Sequence, residues 1–314
     1  MAKYRAALPQ LADKPFLTDG GLETTLIFHE DTPLQYFAAF DLLRTPDGVR
    51  QTRAYFERYA AIATARGLGF VLESPTWRAN RDWAEKLGYS REGLADANRR
   101  AIALMTEIRE RHETPRSPMV ISGAIGPRGD GYVADGLMSA EQAQDYHAEQ
   151  INVFRGTMCD MVTAFTLNYV DEAIGIARAA QAAGMPAAIS FTLETDGRLP
   201  AGETLKGAIE QVDAATGGSP AYYMINCAHP THFDSALAAA EPWVMRIRGI
   251  RANASKRSHA ELDESTDLDV GNPVELGREY DGLRRKLPHL TVFGGCCGTD
   301  HRHVTEIART CLAA

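Results

Sequence analysis

The sequence has no run of about 18 uncharged apolar residues, so it offers no membrane span. Its opening stretch, MAKYRAALPQLADKPF, lacks the apolar centre that a secretory signal needs. Basic charge is not in excess: 33 Lys and Arg stand against 41 Asp and Glu, a formal net charge of −8. A phosphate backbone demands a basic face, so nucleic acid is not the expected partner. The one basic cluster, Arg246, Arg248, Arg251, Lys256 and Arg257, reads as solvated surface or a local ion-pair set. No glycine-rich phosphate loop follows any apolar run, which leaves a nucleotide site without support. The five cysteines are odd in number and irregular in spacing, so they give no disulfide framework. These features predict a cytoplasmic protein with free or metal-bound thiols.

What is present is an ordinary globular composition, 45% hydrophobic and 24% charged, with a mean hydropathy of −0.26. Short apolar, β-branched runs alternate with helical patterns along the whole chain. The runs are 16–19, 69–74, 119–124, 160–165, 187–192, 222–226, 244–250 and 291–295. Most are continuously apolar, as strands covered on both faces should be. Between them, Thr45-Pro46 predicts an N-cap and first turn, with Gly67 as the stop. Ser139 and Gln142 form a capping box ahead of a helix over 140–158. A helix over 171–183 stops at Gly184, and Asn272-Pro273 and Asp300 mark two further N-termini. Eight strands, each followed by a helical segment, predict an α/β fold: a closed (β/α)8 TIM barrel forming one domain over 1–314. A doubly wound open sheet shares the same alternation. The glycine-rich stretch 126–138 reads as a mobile rim loop.

The stretch GGCCGTD, 294–300, places Cys296 and Cys297 side by side after the eighth run. Adjacent residues on an extended strand point to opposite faces, so two such thiols converge only where the backbone bends. The flanking glycines are expected to permit that bend. Cys227, in INCAHP, follows the sixth run. In a barrel, strand ends and the loops after them form the active face, so three thiols can meet at one mouth. Three thiolates suit Zn2+ and leave one tetrahedral position open for a substrate. Buried structural thiols, or a disulfide between Cys296 and Cys297, fit the same spacing. Cys159 and Cys311 fall outside the group and read as packing residues.

LTDGGLET (17–24), SGAIGPRGD (122–130), ISFTLETDGRLPAG (189–202), INCAHP (225–230) and GGCCGTDHRHV (294–304) occur in this order. With them the chain, over nearly all of 16–310, resembles the zinc-dependent homocysteine S-methyltransferase family. The resemblance implies a TIM barrel with zinc on Cys227, Cys296 and Cys297, and with Asp19 helping to hold substrate. It implies methyl transfer from a small onium donor to homocysteine, giving methionine, and makes a homo-oligomer plausible. A free thiol with pKa near 8.5 is mostly protonated at neutral pH, and zinc coordination would remove that proton. Aromatic faces suit the donor's cation, and Trp77 is the candidate. Glu73, Glu194, His229 and His232 lie near strand ends and are weaker candidates. One position departs from the family: where its fourth strand carries a Glu that grips the ammonium of homocysteine, this chain has Phe165. Asn168, Glu73 or Glu194 is then expected to hold that ammonium, or the substrates differ from the family's usual pair. A zinc hydrolase and a thiol redox sensor are the competing classes.

Overall fold

The computed structural model describes residues 2–12, 14–238 and 241–312. Eight strands run in chain order: β1 (Phe16–Leu17), β2 (Gly69–Glu73), β3 (Met119–Ile125), β4 (Met161–Leu167), β5 (Ala187–Phe191), β6 (Tyr222–Asn226), β7 (Ile247–Ala252) and β8 (Val292–Gly295). Each pairs in parallel with its neighbours, and β8 closes on β1 through Phe16–Val292 and Leu17–Phe293. The sheet is a closed barrel, not an open one. Side chains alternate in and out along each strand. Phe16, Val71, Val120, Met161 and Tyr222 fill the interior, while Leu17, Phe70, Ile121, Val162 and Tyr223 pack under the helices. That double burial is why the strands read as unbroken apolar runs.

The helix signals act through identifiable hydrogen bonds. Thr45 Oγ1 accepts from Gly48 N at 3.0 Å to start the helix Pro46–Arg66, and Gly67 ends it in a left-handed turn, φ 65°. Ser139 and Gln142 form both halves of a capping box before Ala140–Arg155. Gly184, φ 64°, ends Val170–Ala183. Asn272 caps Pro273–Lys286, and Asp300 caps His301–Cys311. Arg246, Lys256 and Arg257 of the basic cluster pair with Asp213, Glu275 and Asp269.

Some boundaries differ from expectation. The apolar run from 244 does not begin as strand: Pro242–Arg246 form a 3-10 turn that buries Trp243 and Val244, and β7 starts at Ile247. The helix after β3 ends at Arg155, three residues early. Between β6 and β7, among the described residues, the expected helix is reduced to the turn Pro230–Phe233 and 3-10 segments. An unexpected helix, Leu22–Phe28, follows the first glycine pair and carries Glu23 in its first turn. Among the described residues no helix is long and apolar enough to cross a membrane.

Candidate metal and substrate site

Cys227 follows β6, and Cys296 and Cys297 follow β8; their sulfurs lie within 4.8 Å of one another at the C-terminal mouth of the barrel. Cys227 reaches this point through a left-handed backbone, φ 53°, a conformation that costs an L-residue about 1–2 kcal/mol. Neighbouring elements hold it there. Its N–H donates to Arg251 O at 3.2 Å, while its carbonyl accepts from Asn253 Nδ2 at 3.2 Å and lies 2.7 Å from His259 Nε2. The glycines beside the cysteine pair have a different task from the expected one. Gly294 and Gly295 stay in strand, and a Cβ on either would collide with the hydroxyls of Thr18 and Thr299. They allow close packing; the left-handed turn falls after the pair, at Gly298, φ 77°.

The sulfurs of Cys227 and Cys296 are joined as a disulfide, and Cys227 and Cys297 stand 4.0 Å apart. Tetrahedral zinc with bonds of about 2.3 Å holds its sulfurs roughly 3.8 Å apart. The donor set therefore fits such an ion once the Cys227–Cys296 pair is reduced. The pairing is not the adjacent one that the sequence allowed. Cys297 accepts a hydrogen bond from Tyr132 Oη at 3.5 Å; burial pushes its thiol up, and this bond opposes the shift. Tyr132 comes from the expected rim loop and stacks on His259 at 3.9 Å. Asn226 supports the same corner: its amide reaches Thr166 Oγ1 at 2.9 Å and Cys296 Sγ at 3.8 Å.

Beside the sulfurs lies a cavity walled by Trp77, Phe165 and Phe56 and bearing Asp19, Glu23, Glu73 and Arg251. Asp19 is buried, 3.0 Å from Arg251 Nη1, and accepts from Tyr55 Oη at 3.0 Å. Burial raises its carboxyl and Arg251 opposes the rise. Arg251 also donates to Gly20 O and Gly295 O, each at 3.0 Å, so one guanidinium fastens the Asp19 turn to β8. Burial pushes Glu23 and Glu73 each up to about 7, with the charge of Asp19 adding to both shifts. Phe165 presents its ring to Arg251, 5.0 Å from centroid to guanidinium carbon. Trp77 donates from its indole to Phe165 O at 3.5 Å, and Arg78 is stacked between Trp77 and Trp83 at 4.1 and 4.0 Å.

Of the residues expected at substrate, Asp19, Trp77 and Phe165 line this cavity. Asn168 and Glu194 do not. The Asn168 amide donates to Asp130 O and Val133 O and pins the rim loop that carries Tyr132. Glu194 lies 2.9 Å from His259 Nδ1, behind Cys227. Both face neighbouring protein groups and not the cavity. His229 faces Glu279, and His232 faces Lys256 O, so neither points at the sulfurs. Cys159 and Cys311 are buried against backbone carbonyls, as packing residues. Arg251, Glu23 and Tyr132 were missed. A charged residue inside a basic run carries no sequence signal of burial, and a lone rim tyrosine carries none of contact.

A family model described as homocysteine S-methyltransferase matches residues 16–311. The chain belongs to the homocysteine S-methyltransferase family. It is an S-methyltransferase, a homocysteine methyltransferase by that membership. The barrel is similar to crystal structures of the homocysteine methyltransferase MmuM from Escherichia coli. The oxidised form aligns with a TM-score of 0.76 at 18% identity, covering 97% of this chain and 98% of that one. The metallated form aligns with a TM-score of 0.73 at 17% identity, covering 95% and 96%. No curated protein sequence matches the chain. Phe165, read from the sequence as a departure from the family it resembles, stands in the cavity wall.

Proposed function

We propose that this homocysteine methyltransferase is a zinc enzyme that transfers a methyl group from a small onium donor to homocysteine, releasing methionine. The observation that carries the reading is the convergence of Cys227, Cys296 and Cys297 within 4.8 Å beside an acidic, aromatic-walled cavity. The three reduced thiols would hold the ion, which when bound supplies a thiolate-stabilising charge at the position left open for the acceptor sulfur. Tyr132 orients Cys297 by its hydrogen bond, and Asn253 and His259 fix the turn that aims Cys227. Asp19, clamped by Arg251 and Tyr55, gives the mouth a fixed anionic wall. Trp77 and Phe165 offer π-faces to the donor cation; these attract it without a full counter-charge, so loss of the positive charge during transfer is not opposed. The methyl passes from the onium centre to the acceptor sulfur, and the donor's bonding pair stays with its departing heteroatom. The Cys227–Cys296 disulfide supports a requirement for reduction before metal uptake.

The test is to incubate reduced, zinc-loaded protein with homocysteine and a panel of sulfonium and ammonium donors, reading methionine by mass spectrometry. Methionine from at least one donor, lost with the metal in Cys297→Ala while circular dichroism stays unchanged, is the expected result. Zinc bound without any transfer would favour a thiol redox sensor, and donor hydrolysis without methionine would favour a hydrolase.

A further inference from the structure

Two carboxyl groups of the cavity carry a buried oxygen without a hydrogen-bond partner, Asp19 Oδ1 and Glu73 Oε2, and of the two only Glu73 has no ion-pair partner among the described residues. It projects from the end of β2 into the barrel and is 4% exposed. Oε1 accepts from Thr163 Oγ1 at 3.1 Å, and that hydroxyl lies 2.8 Å from Ser122 Oγ. With Ser122 donating to Thr163 and Thr163 donating to Glu73, a relay across β3 and β4 fixes the carboxyl plane. Oε2 has no partner, although Glu73 lines the same cavity as Phe165 and the three cysteines. Leaving a buried carboxylate oxygen bare costs free energy unless a ligand completes it. Asp19 is not in that position, because Arg251 and Tyr55 already face it. Thr163 stands two residues before Phe165 on β4, hence on the same face of the strand. Through Thr163, Glu73 reaches the strand whose residue 165 is apolar here.

We infer that Glu73 Oε2 accepts a hydrogen bond from the ammonium group of the acceptor amino acid, a role supplied from β2 because β4 presents Phe165. The chemistry selects an amino-acid ammonium over the onium centre. A hydrogen-bond acceptor needs an N–H, which a homocysteine ammonium has and a quaternary or sulfonium centre lacks. A carboxylate held against the onium would also stabilise the very charge that transfer abolishes. The inference rests on homocysteine as the acceptor, and its test uses the acceptor thiol without any donor.

The test measures binding of homocysteine and of 4-sulfanylbutanoate, the same thiol acid without its amino group, to the reduced, zinc-loaded protein by calorimetry. The native protein is expected to favour homocysteine by about ten- to hundredfold, the loss typical of a charge-assisted hydrogen bond. Glu73→Gln is expected to bring the ratio to near one while 4-sulfanylbutanoate binds as before. The ratio within one protein is insensitive to a general loss of folding, which would weaken both thiols alike. If the native protein binds both thiols equally, or Glu73→Gln keeps the preference, the inference is overturned while the proposed reaction stands. If homocysteine does not bind at all, the proposed reaction falls and the inference with it.

Discussion

Replacing Arg251 by Met removes a single charge from the centre of the site, and the structure says how costly that is. Arg251 is 7% exposed and makes three contacts that nothing nearby replaces: Asp19 Oδ1, Gly20 O and Gly295 O, each at 3.0 Å. Met fills similar volume and leaves Asp19 buried with only Tyr55 as its partner. Breaking one side of a buried pair costs about 3–5 kcal/mol, because the remaining charge is uncompensated. The carbonyls of Gly20, on the Asp19 turn, and of Gly295, directly before the cysteine pair, lose their donor as well. Arg251→Met is therefore expected to lower unfolding free energy by about 3–5 kcal/mol in equilibrium urea denaturation of the metal-free, reduced protein. Asp19→Asn alone should cost less, and adding it to Arg251→Met should recover about 1–3 kcal/mol, since the stranded charge is gone. A loss below about 1 kcal/mol for Arg251→Met, or no recovery in the double variant, would refute the clamp.

Stability of the apo protein should decline as pH rises from 4.5 toward 7, through two groups. Burial raises Glu23 and Glu73 from 4.5 to about 7, so their neutral forms favour the fold below 4.5 and that contribution is lost as pH rises through 7. The charged and hydrogen-bonding groups around Glu73 are Arg251 on β7, Asp19 after β1, Ser122 on β3 and Thr163 on β4, and they remain in Glu73→Gln. That variant should flatten the slope in urea titrations at several pH values, and an unchanged slope would contradict the assignment. Phe165→Glu is expected to slow the native donor's reaction while leaving homocysteine affinity equal or higher, measured by donor KM and calorimetry. Intact donor turnover with weakened homocysteine binding would remove Phe165 from the substrate.

The barrel was legible because its strands are buried on both faces and its helices announce their ends. Thr45, Ser139, Asn272 and Asp300 each act through a side-chain bond to the following turn, so their positions could be read without tertiary information. The start of β7 could not, because Trp243 and Val244 are buried by a 3-10 turn and apolar character alone does not separate the two. The three sulfurs were legible as residues at strand ends. What aims them was not: the left-handed turn at Cys227 is imposed by Asn253, His259 and Arg251, all distant in sequence. Asn168 and Glu194 were expected at substrate because they follow strands, yet following a strand places a residue at the rim and does not decide which way it faces.

The most direct measurement is zinc-edge X-ray absorption of the reduced, zinc-loaded protein with and without homocysteine. Three protein sulfurs at about 2.3 Å are expected alone, and a fourth sulfur at a similar distance when homocysteine is added. A shell unchanged by homocysteine, or one with fewer than three sulfurs, would contradict thiol activation at Cys227, Cys296 and Cys297.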